Sequence, residues 1–81
     1  MTEQELDAIR FRCESASPGP WKAWVEGRDH TSGSSFVQTA AQDIEMSGAT
    51  PADYDFVANA RQDVPRLLAE VHRLRRLFQG P

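Results

Sequence analysis

The chain has 81 residues, with 12 acids against 9 bases, a net charge of −3 and 40% hydrophobic residues. That length makes one domain, residues 1–81, near the size where a single core is barely enough, so self-association is an expected remedy. A single cysteine excludes a disulfide scaffold within the chain, the lack of a long apolar run argues against a membrane span, and the polar opening MTEQELD leads to the expectation of no secretory signal.

These totals lead to the expectation of a soluble protein of the cytoplasm, of the host cell's cytoplasm if the source is viral. Cys13 is read as a small apolar packing residue rather than a reactive thiol. The charge is uneven. Residues 1–65 hold eleven acids and five bases, whereas residues 66–81 hold Glu70 and four arginines. Arg66, Arg73, Arg75 and Arg76 suit a solvated face that complements a helix dipole. A nucleic-acid contact is disfavoured, because no recognition motif accompanies them and the rest of the chain repels phosphate.

Thr2 followed by Glu5 has capping-box spacing and opens the first helix. Leu6, Ile9, Cys13 and Ala16 fall on one face, with Phe11 off the stripe at a flank or a subunit contact. Ser17-Pro18-Gly19-Pro20 stops that helix. Trp21 to Glu26 then alternates as a strand, with Trp21, Ala23 and Val25 toward the helices and Trp24 on the opposite face. A large aromatic there calls for a cover, and a subunit interface, a ligand or partial exposure all fit.

Residues 27–35 form a loop longer and more polar than a hairpin needs. Its glycines, hydroxyls, Arg28 and His30 suit either a solvated loop or an anion such as phosphate. It is not a Walker loop, since it lacks that glycine spacing and lysine. Phe36 to Thr39 and Asp43 to Met46 read as two further short strands, joined by a turn at Ala40-Ala41-Gln42. Ile44 and Met46 share one face, and Asp43 and Glu45 the other. A three-stranded antiparallel meander follows, whose middle strand has Phe36 and Val37 on opposite faces.

Thr50 as N-cap, Pro51 at the first helical position and Asp53 at the third start a short helix ending near Arg61 or Gln62. Asp63 would cap a final helix reaching Phe78, with Pro65 tolerated in its first turn. The alternative is one helix with a bend at Pro65. Val64, Leu67, Val71, Leu74 and Phe78 form one stripe along that final helix, and Leu68 and Leu77 widen it. So broad a face is expected to carry the rest of the fold and a second copy of the chain. Gly80-Pro81 is read as a frayed end. The fold class is α+β: an N-terminal helix, the meander, a short helix and a long C-terminal amphipathic helix.

Four pieces in this order resemble a known group: Leu6-Asp7-Ala8-Ile9-Arg10 with Arg12-Cys13-Glu14; Ser17-Pro18-Gly19-Pro20-Trp21; Asp55-Phe56-Val57-Ala58-Asn59-Ala60-Arg61; and Asp63-Val64-Pro65-Arg66-Leu67-Leu68-Ala69-Glu70-Val71. They resemble small phage and prophage proteins of actinobacterial phages, and more loosely the ead-like early-region proteins of lambdoid phages. The resemblance covers about half the chain and leaves out Lys22 to Thr50. It implies a viral accessory protein and supplies no catalytic residues. Phage proteins of this size that sequester a host nucleotide immune signal offer an analogy of size and context.

Catalysis is not expected. Asp29, His30 and Ser32 crowd one loop without a scaffold for nucleophile, base and orienter. Asp29, His30, Asp43 and Glu45 show no metal-ligand spacing, and His72 lies beside an apolar stripe where packing suffices. The leading expectation is a non-enzymatic homo-oligomer, without cofactor or metal, that binds and sequesters a small phosphate-bearing ligand such as a nucleotide signal. Arg28, His30, Ser32, Ser34 and Ser35 would hold the anion. Trp24 or Phe36 would lie against a base, and Arg61 would be a second cation or simply a helix-end charge. The alternative is a protein–protein adaptor or inhibitor that docks a host factor through the long C-terminal helix.

Overall fold

The computed structural model describes residues 1–79, so Gly80-Pro81 and the frayed end expected there lie outside the described residues. Four elements follow one another: α1 (Glu3–Ser15), β1 (Lys22–Trp24), β2 (Phe36–Gln38) and α2 (Pro51–Gln79). The fold is α+β. The capping box closes both ways, with the Glu5 N–H donating to Thr2 Oγ1 at 3.1 Å and the Thr2 N–H donating to Glu5 Oε1 at 2.9 Å. Thr50 and Asp53 make the same reciprocal pair at the start of α2.

β1 and β2 pair antiparallel in the register Lys22↔Gln38, Ala23↔Val37 and Trp24↔Phe36. Ala23 and Val37 therefore share the inner face, and Lys22, Trp24, Phe36 and Gln38 the outer one. The inner face meets α2 in a core of Val25, Val37, Tyr54 and Ala58, flanked by Trp21, Ala23, Met46, Ala49 and Val57. The expected inward set of Trp21, Ala23 and Val25 is thus observed.

The expected meander is corrected. Among the described residues its third strand shrinks to one bridge, Val37↔Ile44, with mutual N–H···O distances of 2.8 and 2.9 Å. The reason lies two residues on. The Tyr54 hydroxyl accepts from the Met46 N–H at 3.0 Å and donates to the Met46 carbonyl at 3.1 Å. With both backbone groups satisfied by one buried side chain, Met46 has none left for a ladder.

The separate short helix is corrected as well. α2 runs unbroken for 29 residues, with Pro65 inside it and Asp63 within it rather than capping it. An interior proline ordinarily costs about 3 kcal/mol, but tertiary bonds hold the turn before it. The Gln62 carboxamide accepts from the Trp21 N–H at 2.7 Å and donates to the Trp21 and Ala58 carbonyls, while Arg61 Nε donates to the Ser17 carbonyl at 2.9 Å. Unwinding the helix here would release the whole Ser17–Trp21 segment.

α1 lies antiparallel to α2. Its far end is held at Arg75, which bonds Glu3 Oε1 at 2.9 Å and the Met1 carbonyl, and its near end at Arg61. Leu6, 1% exposed, is the buried side chain of α1. Among the described residues no helix is long and apolar enough to cross a membrane.

Candidate functional site

Two surfaces stand out, one on each side of the question the sequence left open. The first is the outer face of the sheet. Trp24 and Phe36 stack with centroids 6.4 Å apart and planes 21° apart, and His30 tilts onto Phe36 at 5.6 Å. Lys22 Nζ sits 4.1 Å over the Trp24 ring, and Trp24 Nε1 donates to Gln38 Oε1 at 3.0 Å. Trp24 is half-buried, and its cover is the sheet's own outer face.

An open hollow of about 510 Å³ adjoins these rings, lined by Trp24, His30, Ser32, Ser34, Phe36, Gln38, Asp43 and Glu45. Five of the eight residues expected to bind a ligand meet there. His30 Nδ1 accepts from the Ser32 N–H at 3.3 Å, while its Nε2 is buried and, among the described residues, finds no partner. Gln38, Asp43 and Glu45 complete the lining, and their parity with Phe36 and against Ile44 is the sequence signal that places them on this face.

The remaining three expected residues lie elsewhere. Arg28 is a clamp. It meets both Asp55 carboxylate oxygens at 2.9 Å and donates to Asp29 Oδ2 at 3.2 and 3.0 Å. Asp29 Oδ2 also accepts from the Val25 N–H at 2.8 Å, and Gly27, at φ 84°, lets the chain turn tightly between them. Ser35 Oγ accepts from the Glu26 N–H at 3.0 Å, bracing the loop rather than facing the hollow. Arg61 binds the Ser17 turn, on the α1 side of the molecule. The hollow's ionisable lining is therefore His30 and two carboxylates.

The clamp has a pH signature. The Arg28 guanidinium holds the carboxyls of Asp29 and Asp55 below their ordinary value of 3.8, and the Val25 N–H helps at Asp29. Carboxyls lowered in the folded state stabilise it fully above their unfolded value, and that contribution is lost as the pH falls through the lower folded values. The melting temperature should therefore drop as the pH falls below about 3.8, and Arg28→Ala should flatten that drop. Thermal melts from neutral to strongly acid pH read it directly; equal slopes for both proteins would refute the clamp.

The second surface is the exposed side of α2. Its positions 54, 58, 61, 62, 65, 68, 72 and 75 are buried or half-buried on the side that meets the sheet and α1. Away from that side lie Phe56 (75% exposed), Val64 (37%), Leu67 (65%), Leu74 (40%), Leu77 (65%) and Phe78 (89%). A helix normally turns such a stripe into a core, and here the folded body occupies the neighbouring face instead. Val71, Leu74, Arg75, Phe78 and Gln79 line a shallow, mostly apolar depression along it.

No protein-family model, no curated protein and no solved structure matches the chain.

Proposed function

We propose that the protein is a non-enzymatic docking module that works through the exposed apolar face in the second half of α2, binding a helical protein partner as an adaptor or inhibitor. The observation that carries this reading is the row of Val64, Leu67, Leu74, Leu77 and Phe78, left in solvent on a long helix whose neighbouring side is already packed. A solitary exposed leucine needs no explanation; a continuous row of them at helical spacing does. The resemblance to phage accessory proteins fits a role performed by binding rather than turnover. Site-specific photo-crosslinking in the cells that make the protein tests it. A photoreactive residue at Leu67 or Leu74 should give covalent protein adducts, and one at exposed Ala69 or Arg76 should not. Equal labelling at all four positions, or none, would count against this surface.

A second reading, sequestration of a small ligand such as a nucleotide, is favoured by the gathering of Trp24, His30, Ser32, Ser34 and Phe36 and by the unpartnered His30 Nε2. Two facts weigh against a phosphate in this hollow: Asp43 and Glu45 line it, and Arg28 is bound to two carboxylates. The faces of Trp24 and Phe36 are also partly occupied by Lys22, His30 and each other. Native mass spectrometry on protein purified from phage-challenged cells decides between the readings. A retained nucleotide-sized mass would favour sequestration, and ligand-free protein would favour docking.

A further inference from the structure

We infer that the partner first seated on this face is a second copy of the chain, held in a parallel, two-stranded coiled coil over Val64–Phe78. This rests on the docking reading of α2 given above, and adds the partner, its direction and its register.

The spacing comes first. Val64, Leu67, Val71, Leu74 and Phe78 alternate three and four residues apart, the a–d repeat of a heptad. With Val64 at a, the valines at 64 and 71 occupy a and the leucines at 67 and 74 occupy d. β-branched residues at a with leucine at d favour two parallel strands over higher assemblies. In the same frame Tyr54, Arg61, Leu68 and Arg75 are e positions, and Ala58, Pro65 and His72 are b positions. All of these are buried or half-buried against the sheet and α1, so the folded body sits beside the a/d seam and leaves Val64, Leu67, Leu74 and Phe78 exposed, with Val71 half-buried.

Charge sets the direction. The charged g positions are Asp63 and Glu70 and the charged e positions Arg61 and Arg75, with Leu77 and Leu68 at the uncharged ones nearby. A parallel pair brings Glu70 of one copy, already bound by Arg73 of its own chain, opposite Arg75 of the other, joining unlike charges. Arg75 now binds the exposed Glu3 and the Met1 carbonyl of its own chain, and its half-exposed guanidinium keeps donors for a further carboxylate. An antiparallel pair matching Leu67 with Val71 sets Glu70 against Glu70 and Arg61 against Arg75. Like charges then meet along both flanks.

Area agrees. The chain exposes 5994 Å², about 1,100 Å² more than the size scaling gives for a compact monomer of 9.1 kDa. Its radius of gyration is 16.0 Å, against about 12 Å for a compact domain of this length. A standard interface buries about 800 Å² per partner. The surplus is large enough to supply one such face.

Light scattering across a wide concentration range, combined with disulfide trapping, tests the inference. Wild-type protein should reach a dimer and no higher species. In a Cys13→Ser background, Leu74→Cys should give a covalent dimer on mild oxidation, because d residues of parallel strands face each other at about 6 Å, within disulfide reach. A mixture of Val64→Cys and Leu74→Cys chains should give no mixed disulfide. A monomer at every concentration, a trimer, or the mixed disulfide alone would overturn the inference. Should purified protein stay monomeric while Leu67 or Leu74 photo-crosslinks to a different protein, only the second-copy inference falls. Absence of adducts in cells together with a monomer in solution would remove the docking reading too.

Discussion

Replacing Leu67 and Leu74 together by aspartate is expected to abolish self-association while leaving the folded body intact. Both side chains are exposed in the single chain, at 65% and 40%, so the substitution removes nothing from its core. In the paired state both would be buried across the seam. A fully buried leucine contributes about 1.5–3 kcal/mol, and each partly buried one proportionately less. Four such losses per dimer, before any cost of setting carboxylates against an apolar face, come to about 4 kcal/mol. That raises the dissociation constant about a thousandfold. Circular dichroism should report an unchanged helix content and light scattering a monomer. A variant that still dimerises would place the interface elsewhere.

Leu6→Ala carries the largest expected effect on stability. Leu6 is 1% exposed yet lies outside the cluster that joins the sheet to α2, so it is the centre of the apolar face of α1, with half-buried Ile9 and Cys13 beside it. Truncating a fully buried leucine costs about 2–5 kcal/mol, a large part of the 5–15 kcal/mol typical of a whole domain. The polar ties of α1 to α2 lie at its ends, at Arg75 and at the Ser17 turn. Urea unfolding of Leu6→Ala should show an unfolding free energy lowered by that amount and a correspondingly lower midpoint, and the amides of α1 should exchange before those of β1 and β2. With α1 loosened, Leu68 and the e/b side of α2 become exposed, and aggregates beyond the dimer are expected. A midpoint within error of wild type would show that Leu6 does not anchor α1.

What the sequence revealed and what it concealed divide along one physical line. Contacts within a few residues, and the parity of strands, were legible. Thr2 with Glu5 marked the first cap, and alternation set Trp24 apart from Ala23 and Val25, Phe36 from Val37, and Asp43 and Glu45 from Ile44, though only the strand register gathers Trp24, Phe36, Asp43 and Glu45 on one face. What failed depended on partners beyond the reach of local spacing. Tyr54 takes both backbone groups of Met46 and ends the third strand; Gln62 and Arg61 reach back to Trp21 and Ser17 and carry the helix past Pro65. Arg28 shows the same limit at the candidate site. As a loop arginine among hydroxyls it resembled an anion ligand, but its bidentate partner is Asp55, 27 residues away. The hollow it was expected to charge is left acidic, and the weight of the functional reading moves to the helix. There the row of apolar residues was visible from spacing alone, while its exposure required knowing which face the sheet and α1 would occupy.

Concentration-dependent hydrogen exchange over residues 64–78 tests that claim most directly. At concentrations where the dimer forms, amides around Leu67, Val71 and Leu74 should exchange markedly more slowly than in dilute protein. Those of β1, β2 and the first half of α2 should not change. Exchange across 64–78 that is independent of concentration would contradict the account, because the exposed face of α2 would then have no second copy to cover it.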